Sequence, residues 1–98
     1  MIEASFVGSL VRHHGEAAWF FVTLPHDVAD DIRRRVERVG FGSVAVDATI
    51  GATSWSTSVF PDKRSGSFVL PVKAAVRKQE DVDDGSEVHV RLRIRTDR

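Results

Sequence analysis

Phe21-Val22-Thr23-Leu24-Pro25 and Phe68-Val69-Leu70-Pro71 are two renderings of one phrase, and reading them as a repeat decides the fold. Each is followed by a charged stretch of helical character and then by a Gly-Ser pair that opens an alternating segment. After the first copy that segment is Gly42-Ser43-Val44-Ala45-Val46; after the second it is Gly85-Ser86-Glu87-Val88-His89-Val90. A strand ending in Leu-Pro, a helix, a turn and a second strand, written twice in 98 residues, predicts a mainly β domain with a pseudo-twofold internal duplication. Strands with one apolar face and short connections leave exposed edges if the sheet stays flat, so the expectation is a closed six-stranded β-barrel.

Outward from the repeat, the remaining strands follow from period-2 alternation. Ile2, Ala4, Phe6, Gly8 and Leu10 share one face of a first strand, His13-His14-Gly15-Glu16 turns the chain, and Ala17 to Leu24 returns it. Val44, Val46, Ala48 and Ile50 alternate in a third strand, Gly51 marks a bend, and Trp55, Thr57 and Val59 alternate with serines in a fourth. Residues 61–66 read as a polar loop. In the last strand Val88, Val90, Leu92 and Ile94 face in, while Glu87, His89, Arg91, Arg93 and Arg95 face out.

Two helices are expected. A long one spans about residues 25–39, with Pro25 at its first position and Val28, Ile32, Val36 and Val39 in one stripe. Asp27, Asp30 and Asp31 sit early and Arg34, Arg35 and Arg38 late, an order that suits the helix dipole, and Gly40 is placed to end it. A short helix over about 72–78 puts Lys73 and Arg77 at i, i+4 on one face.

Size and charge bound the function. Residues 1–98 form one domain, since too little chain remains for a second core. Fourteen basic and fourteen acidic residues cancel, which argues against a protein devoted to coating nucleic acid or anionic membrane. The absence of cysteine excludes disulfides, thiolate nucleophiles and Cys-ligated metal. The N-terminus has no basic segment followed by an apolar run, and no stretch nears the ~20 apolar residues of a spanning helix, so a cytoplasmic protein with no membrane association is expected.

The segments Trp19-Phe20-Phe21-Val22 and Leu24-Pro25, then residues 40–46, Thr49-Ile50-Gly51, residues 55–61 and residues 70–77 resemble, in order, the domain-of-unknown-function family 1905. The likeness covers nearly the whole chain. It implies a small closed β-barrel of mixed topology and no established activity. Relatives fused to a second domain linked to bacteriocin protection imply a module that works beside a partner. A second, narrower likeness joins Leu70-Pro71, the basic helix with Arg77 and residues 84–90 to the swapped-hairpin transcription regulators. It concerns how a barrel is built from two units; here both lie in one chain, so a monomer is favoured.

For function, the segment from Trp55 to Lys63 has the most unusual composition: an aromatic, the hydroxyls Ser56, Thr57 and Ser58, and a basic loop. With Lys73 and Arg77 it forms a candidate ligand-binding set, Trp55, Thr57, Ser58, Lys63, Lys73 and Arg77, suited to a carboxylate or phosphate. The helix beginning after Pro71 would add backbone donors. Against this stands the plainer account of a core Trp, hydroxyls on a strand's outer face and solvated cations.

Arg91, Arg93 and Arg95 project from one face of the last strand; the net charge of zero and the expected lack of exposed aromatics interleaved with them weigh against nucleic acid. Residues 33–35, all Arg, wrap around a helix and read as a solvated face. His13, His14, His26 and His89 have no metal-ligand spacing, and neither a metal nor another cofactor is expected. The chain reads first as a non-enzymatic binding module for a small anionic ligand or a peptide end. An enzyme of unrecognised type in a biosynthetic or resistance pathway, using the same barrel mouth, is second, and a nucleic-acid-binding regulator third.

Overall fold

The computed structural model describes residues 2–13, 19–36 and 42–95. Seven strands and two helices follow one another as β1 (Ile2–Ser9), β2 (Val11–His13), β3 (Trp19–Thr23), α1 (His26–Arg35), β4 (Val44–Ile50), β5 (Thr53–Asp62), β6 (Ser67–Pro71), α2 (Ala74–Glu80) and β7 (Glu87–Ile94). The turn expected at residues 13–16 falls mainly outside the described residues, as do Val39 and Gly40.

The strands form one sheet in the order β1-β7-β4-β5-β6-β3-β2. It is open and curled, and does not close into the six-stranded cylinder expected from the alternation. The cause lies at Leu10. β1 pairs with β7 from Ile2↔Ile94 to Ser9↔Glu87, and one residue later β2 pairs instead with β3, from Val11↔Phe21 to His13↔Trp19. Leu10 itself is fully buried; its N–H donates to the Ser86 carbonyl and its carbonyl accepts from Gly85 N–H. The expected first strand is thereby divided, and its two parts occupy opposite ends of the sheet with no ladder between them.

β5 makes the corresponding change of partner without a break. Its first part pairs with β4, from Ile50↔Thr53 to Val44↔Val59, and its last part with β6, from Phe60↔Val69 to Asp62↔Ser67. Pro61 and Asp62 therefore belong to the strand, and the loop expected from residue 61 is a turn over 63–66. Pro61 has no N–H to donate, so it sits where the short ladder tolerates a missing bond.

The strands that carry the two copies pair with one another. β3 runs antiparallel to β6 with Val22↔Leu70, and β4 runs antiparallel to β7 with Ala48↔Leu92. Reciprocal bonds extend the first pair, Leu24 N–H to the Phe68 carbonyl and Val72 N–H to the Phe20 carbonyl, both 2.9 Å. Leu24 and Leu70 are both buried, yet their prolines differ: Pro25 caps α1 directly, while Pro71 still pairs with Phe21 in the sheet.

The core is the inner face of the curl. Val44, Val46, Ala48 and Ile50 meet Val88, Val90, Leu92 and Ile94 as the alternation predicts, and Val22, Leu24, Phe68 and Leu70 fill the other half. Each such side chain contributes about 1.5–3 kcal/mol on burial. β1 crosses β3 so closely that a Cβ on Gly8 would lie 2.7 Å from Val22 Cγ1. Only a residue without a side chain fits there.

α1 is ten residues long and ends four residues before the expected boundary. Its N-terminal half carries Asp27 and its last turn Arg33, Arg34 and Arg35, while Ala29 and Ile32 face the core. Arg34 and Arg35 both pair with Asp31, at 3.3 and 3.2 Å, across the i, i+3 and i, i+4 spacings that stabilise an exposed helix by about 0.3–0.5 kcal/mol each. Val36 leaves the helix for extended backbone (φ −118°, ψ 124°) and packs against the core. Tertiary packing of a β-branched residue thus overrides the stripe that had predicted one long helix.

α2 is displaced two residues along the chain from the expected 72–78, because Pro71 pairs in β6 and Val72 is tied to Phe20. Lys73 caps it, Val76 is its buried residue, and Asp81 ends it in the left-handed region at φ 54°. Its last residue, Glu80, accepts from Thr53 Oγ1 at 2.5 Å and covers Gly51, whose φ of +60° turns β4 into β5. Among the described residues no helix is long and apolar enough to cross a membrane.

Candidate functional site

Where α2 meets the sheet, a cavity of about 370 Å³ opens at the end of the curl. Its floor is Phe20, on the inward face of β3, and Trp55, on the inward face of β5 opposite Ala48. Trp55 is half-buried against the core. One wall is Pro71, Val72 and Lys73, the segment held to β3 by the Val72–Phe20 bond; the rim is Trp19, Thr57 and Arg77. Its size is that of a small-ligand pocket, and its lining combines apolar surface with a few polar groups.

Arg77 decides the electrostatics. Its guanidinium lies over the Phe20 ring, 3.7 Å from the centroid, and its Nε donates to the Val72 carbonyl at 3.2 Å. These two contacts fix the plane of the group. No carboxylate balances it: among the described residues Arg77 and Lys73 have no ion-pair partner. Stacking on an aromatic face stabilises a guanidinium by ~0.5–2 kcal/mol without neutralising it. Lys73 is exposed beside it. The remaining polar group is Thr57, whose hydroxyl makes no hydrogen bond among the described residues. Ser56 also borders the cavity, but its hydroxyl donates to Asp47 at 2.7 Å.

The opposite corner provides a control. There Arg33 of α1 lies 5.5 Å from the centroid of Phe68, donates to the Gly66 carbonyl and pairs with Asp30 at 2.9 Å. The same architectural element is electrically closed on the α1 side and open on the α2 side.

Of the six residues singled out in the sequence, the fold brings four together: Trp55, Thr57, Lys73 and Arg77. Lys73 and Arg77 do not share a helix face as expected, since Lys73 is the residue before α2, yet both line the cavity. Ser58 and Lys63 are left out. Ser58 pairs with Ala45 on the outward face of β5. Lys63 lies in the turn beyond the far end of the strand, eight residues from Trp55, roughly 26 Å at ~3.3 Å per residue. α2 has only seven residues, so its backbone donors add little.

Sequence reasoning missed Trp19, Phe20 and Val72. A signal existed for the first two: consecutive aromatics in an alternating strand must face opposite sides. Phe20 is buried under Arg77, and Trp19 is 51% exposed. Phe60 is 43% exposed on β5. These exposed aromatics lie on β3 and β5, away from the arginines of β7 beside which none was expected.

Those outward arginines have other duties. Arg95 donates to Asp47 at 2.8 Å, Arg93 lies 3.7 Å from Glu3, and the Arg95 and Ser56 hydrogen bonds hold the Asp47 carboxyl below its ordinary range. Arg91, on the same face, borders a separate cavity of about 430 Å³ with Ser5, Val7, Thr49 and His89, in which no second Lys or Arg converges among the described residues. Among the described residues no three His, Asp or Glu side chains gather as a metal site would require. Among the described residues the mouth holds no carboxylate, imidazole or thiol, and Lys73 is its one amine.

The model of a domain of unknown function, DUF1905, matches residues 6–92. No curated protein matches the chain.

Proposed function

Given that the chain belongs to the DUF1905 family, whose description carries no activity, we propose from its own geometry a non-enzymatic module that binds a small anion or a peptide end at the α2 mouth. The observation that carries this reading is Arg77: a guanidinium held flat on Phe20, with no ion-pair partner among the described residues, beside Lys73 and the Thr57 hydroxyl. A carboxylate or phosphate placed there completes the polar contacts that Arg33 already has on the other side, and a planar guanidinium suits either anion bidentately. A lining that, among the described residues, offers no carboxylate, imidazole or thiol favours binding over catalysis. A cytoplasmic location belongs to the same reading, as does action by a monomer.

Melting temperature in sodium phosphate against sodium chloride at matched ionic strength tests it. A ligand at ten times its Kd adds about 1.4 kcal/mol, which raises the melting temperature of a domain this size by roughly 5–10 °C. The Lys73→Ala, Arg77→Lys double variant keeps a cation on Phe20 but loses the planar fork and one charge, and should lose most of the rise. An equal rise in wild type and variant would refute the site. A second comparison, a dipeptide with a free carboxylate against its amide, distinguishes a peptide end from inorganic anion.

A further inference from the structure

Beyond the mouth, the outward face of β2, β3, β6 and β5 carries a broad groove of about 950 Å³. Its surface is built from cross-strand neighbours: Val11, Phe21 and Pro71 form one row, and Thr23, Val69 and Phe60 another. Trp19 stacks on Phe21, with centroids 5.9 Å apart and planes inclined by 13°, and His13 meets the same Phe21 edge-on at 6.2 Å. Val11, Trp19 and Phe60 are each about half exposed, and contiguous apolar surface of this kind marks an interaction site on a monomer.

The groove and the mouth are continuous, because Trp19 and Pro71 line both. Across the two, the charged lining residues among those described are Arg12, Arg64, Lys73 and Arg77 against Asp62. In a chain with 14 basic and 14 acidic residues, four to one is a segregated charge. None of the four cations enters an ion pair among the described residues, whereas Arg33, Arg34, Arg35, Arg93 and Arg95 all do. An apolar partner would strip water from these cations without replacing it. A partner that is polyanionic and carries flat apolar rings satisfies both halves of the surface.

From this juxtaposition we infer that the face binds single-stranded nucleic acid, its phosphates following the cations into the Lys73–Arg77 mouth and its bases stacking on Trp19, Phe21 and Phe60. A cationic track beside exposed aromatics is the combination that single strands require, and paired bases, stacked on each other, cannot use the rings. Across four strands the face spans ~14 Å at ~4.8 Å per strand, room for a few nucleotides. The inference rests on the anion-holding reading of the mouth and extends it to a defined polymer.

The test is fluorescence anisotropy of an end-labelled oligothymidylate of about ten nucleotides with the whole chain at low salt. Binding should weaken with salt at a log–log slope of about −3, from four cations at ~0.7 each. Trp19→Ala and Phe60→Ala should each weaken it about 5- to 150-fold, the range of one lost base stack. Phe60 lies outside both the core and the mouth, so in Phe60→Ala circular dichroism and the phosphate-induced rise in melting temperature should be unchanged. No binding at about 100 µM protein, the weak limit of non-specific association, overturns the inference. So does equal affinity for a duplex, indifference to both aromatic substitutions, or capture of an acidic peptide or anionic vesicle in place of the oligonucleotide. If the phosphate response survives while oligonucleotide binding fails, only this inference falls; if both vanish in wild type, the mouth was misread as well.

Discussion

At the α1 corner Arg33 stands 5.5 Å from the Phe68 centroid with Asp30 bonded to it; at the α2 corner Arg77 stands 3.7 Å from the Phe20 centroid and, among the described residues, pairs with no acid. The spacing makes the contrast sharper. Three residues before Arg33 is Asp30, and three before Arg77 is Ala74. Both corners set an arginine over a phenylalanine that is the second residue of its strand, and both let that arginine donate to a backbone carbonyl. The arginines are not at matching positions, since Arg33 is the eighth residue of α1 and Arg77 the fourth of α2, and their carbonyl partners, Gly66 and Val72, differ as well. What the comparison teaches is narrower: an arginine over a ring can be paired with an acid of its own helix, as at α1, or left without an ion pair among the described residues, as at α2, and the second case is the basis for assigning the α2 side to a ligand.

The comparison can be broken first at the aromatic rings. Phe68→Ala should cost about 3–5 kcal/mol in urea unfolding, as a fully buried ring does, and Phe20→Ala a value toward the lower end, because part of its face is covered by a guanidinium and not by core. Equal losses would mean that the two corners are structurally interchangeable and that Arg77 packs as an ordinary core neighbour. It can be sharpened next by exchanging the i, i+3 partners. Ala74→Asp should abolish the phosphate-induced rise in melting temperature while changing stability by no more than ~0.5 kcal/mol, as expected of an exposed substitution. Asp30→Ala should cost no more than ~1 kcal/mol and enlarge the phosphate response by opening the α1 corner. A phosphate response intact in Ala74→Asp would show that the missing acid is irrelevant.

The smallest effect concerns the turn that holds the Gly66 carbonyl for Arg33. Asp62 accepts from the Ser65 hydroxyl at 2.8 Å and its amide at 3.2 Å, and the Ser65 hydroxyl bond is the main reason its carboxyl titrates below the ordinary 3.8. A carboxyl depressed in the folded state adds stability above its unfolded value, and that contribution disappears as the pH falls through the lower folded value. Melting between about pH 5 and pH 2.5 should therefore fall less steeply in Asp62→Asn than in wild type. Parallel curves would remove the turn from the account of the α1 corner.

Much of this was legible because alternation is a local property. The inward sets Val88, Val90, Leu92 and Ile94 and Val44, Val46, Ala48 and Ile50 both follow from period two. What failed was decided at a distance. Nothing within Ile2–His13 announces that Leu10 will be tied to Gly85 and Ser86, so an unbroken strand and a closed cylinder were the natural expectation. Val36 fits a helical stripe as well as it fits the core from extended backbone, and only the packing of the rest selects the second. The site divides along the same line. Lys73 and Arg77 were found by proximity in sequence, and Trp55 and Thr57 by composition. Ser58 and Lys63 were included only because they are close in the chain, whereas Phe20, across the mouth from Trp55, depends on a ladder between β3 and β6 that no spacing reveals.

The ladder between β1 and β7 has a consequence for how the molecule is made. Ile2 and Ile94 are ladder partners from opposite ends of the sheet-forming sequence, and β1 has no other ladder neighbour among the described residues. On the ribosome, which adds ~5–20 residues per second, β1 waits unpaired for several seconds until β7 emerges. Throughout that interval Ile2 and Phe6 remain open to any chaperone or sticky neighbour within reach. Their cover arrives only with β7.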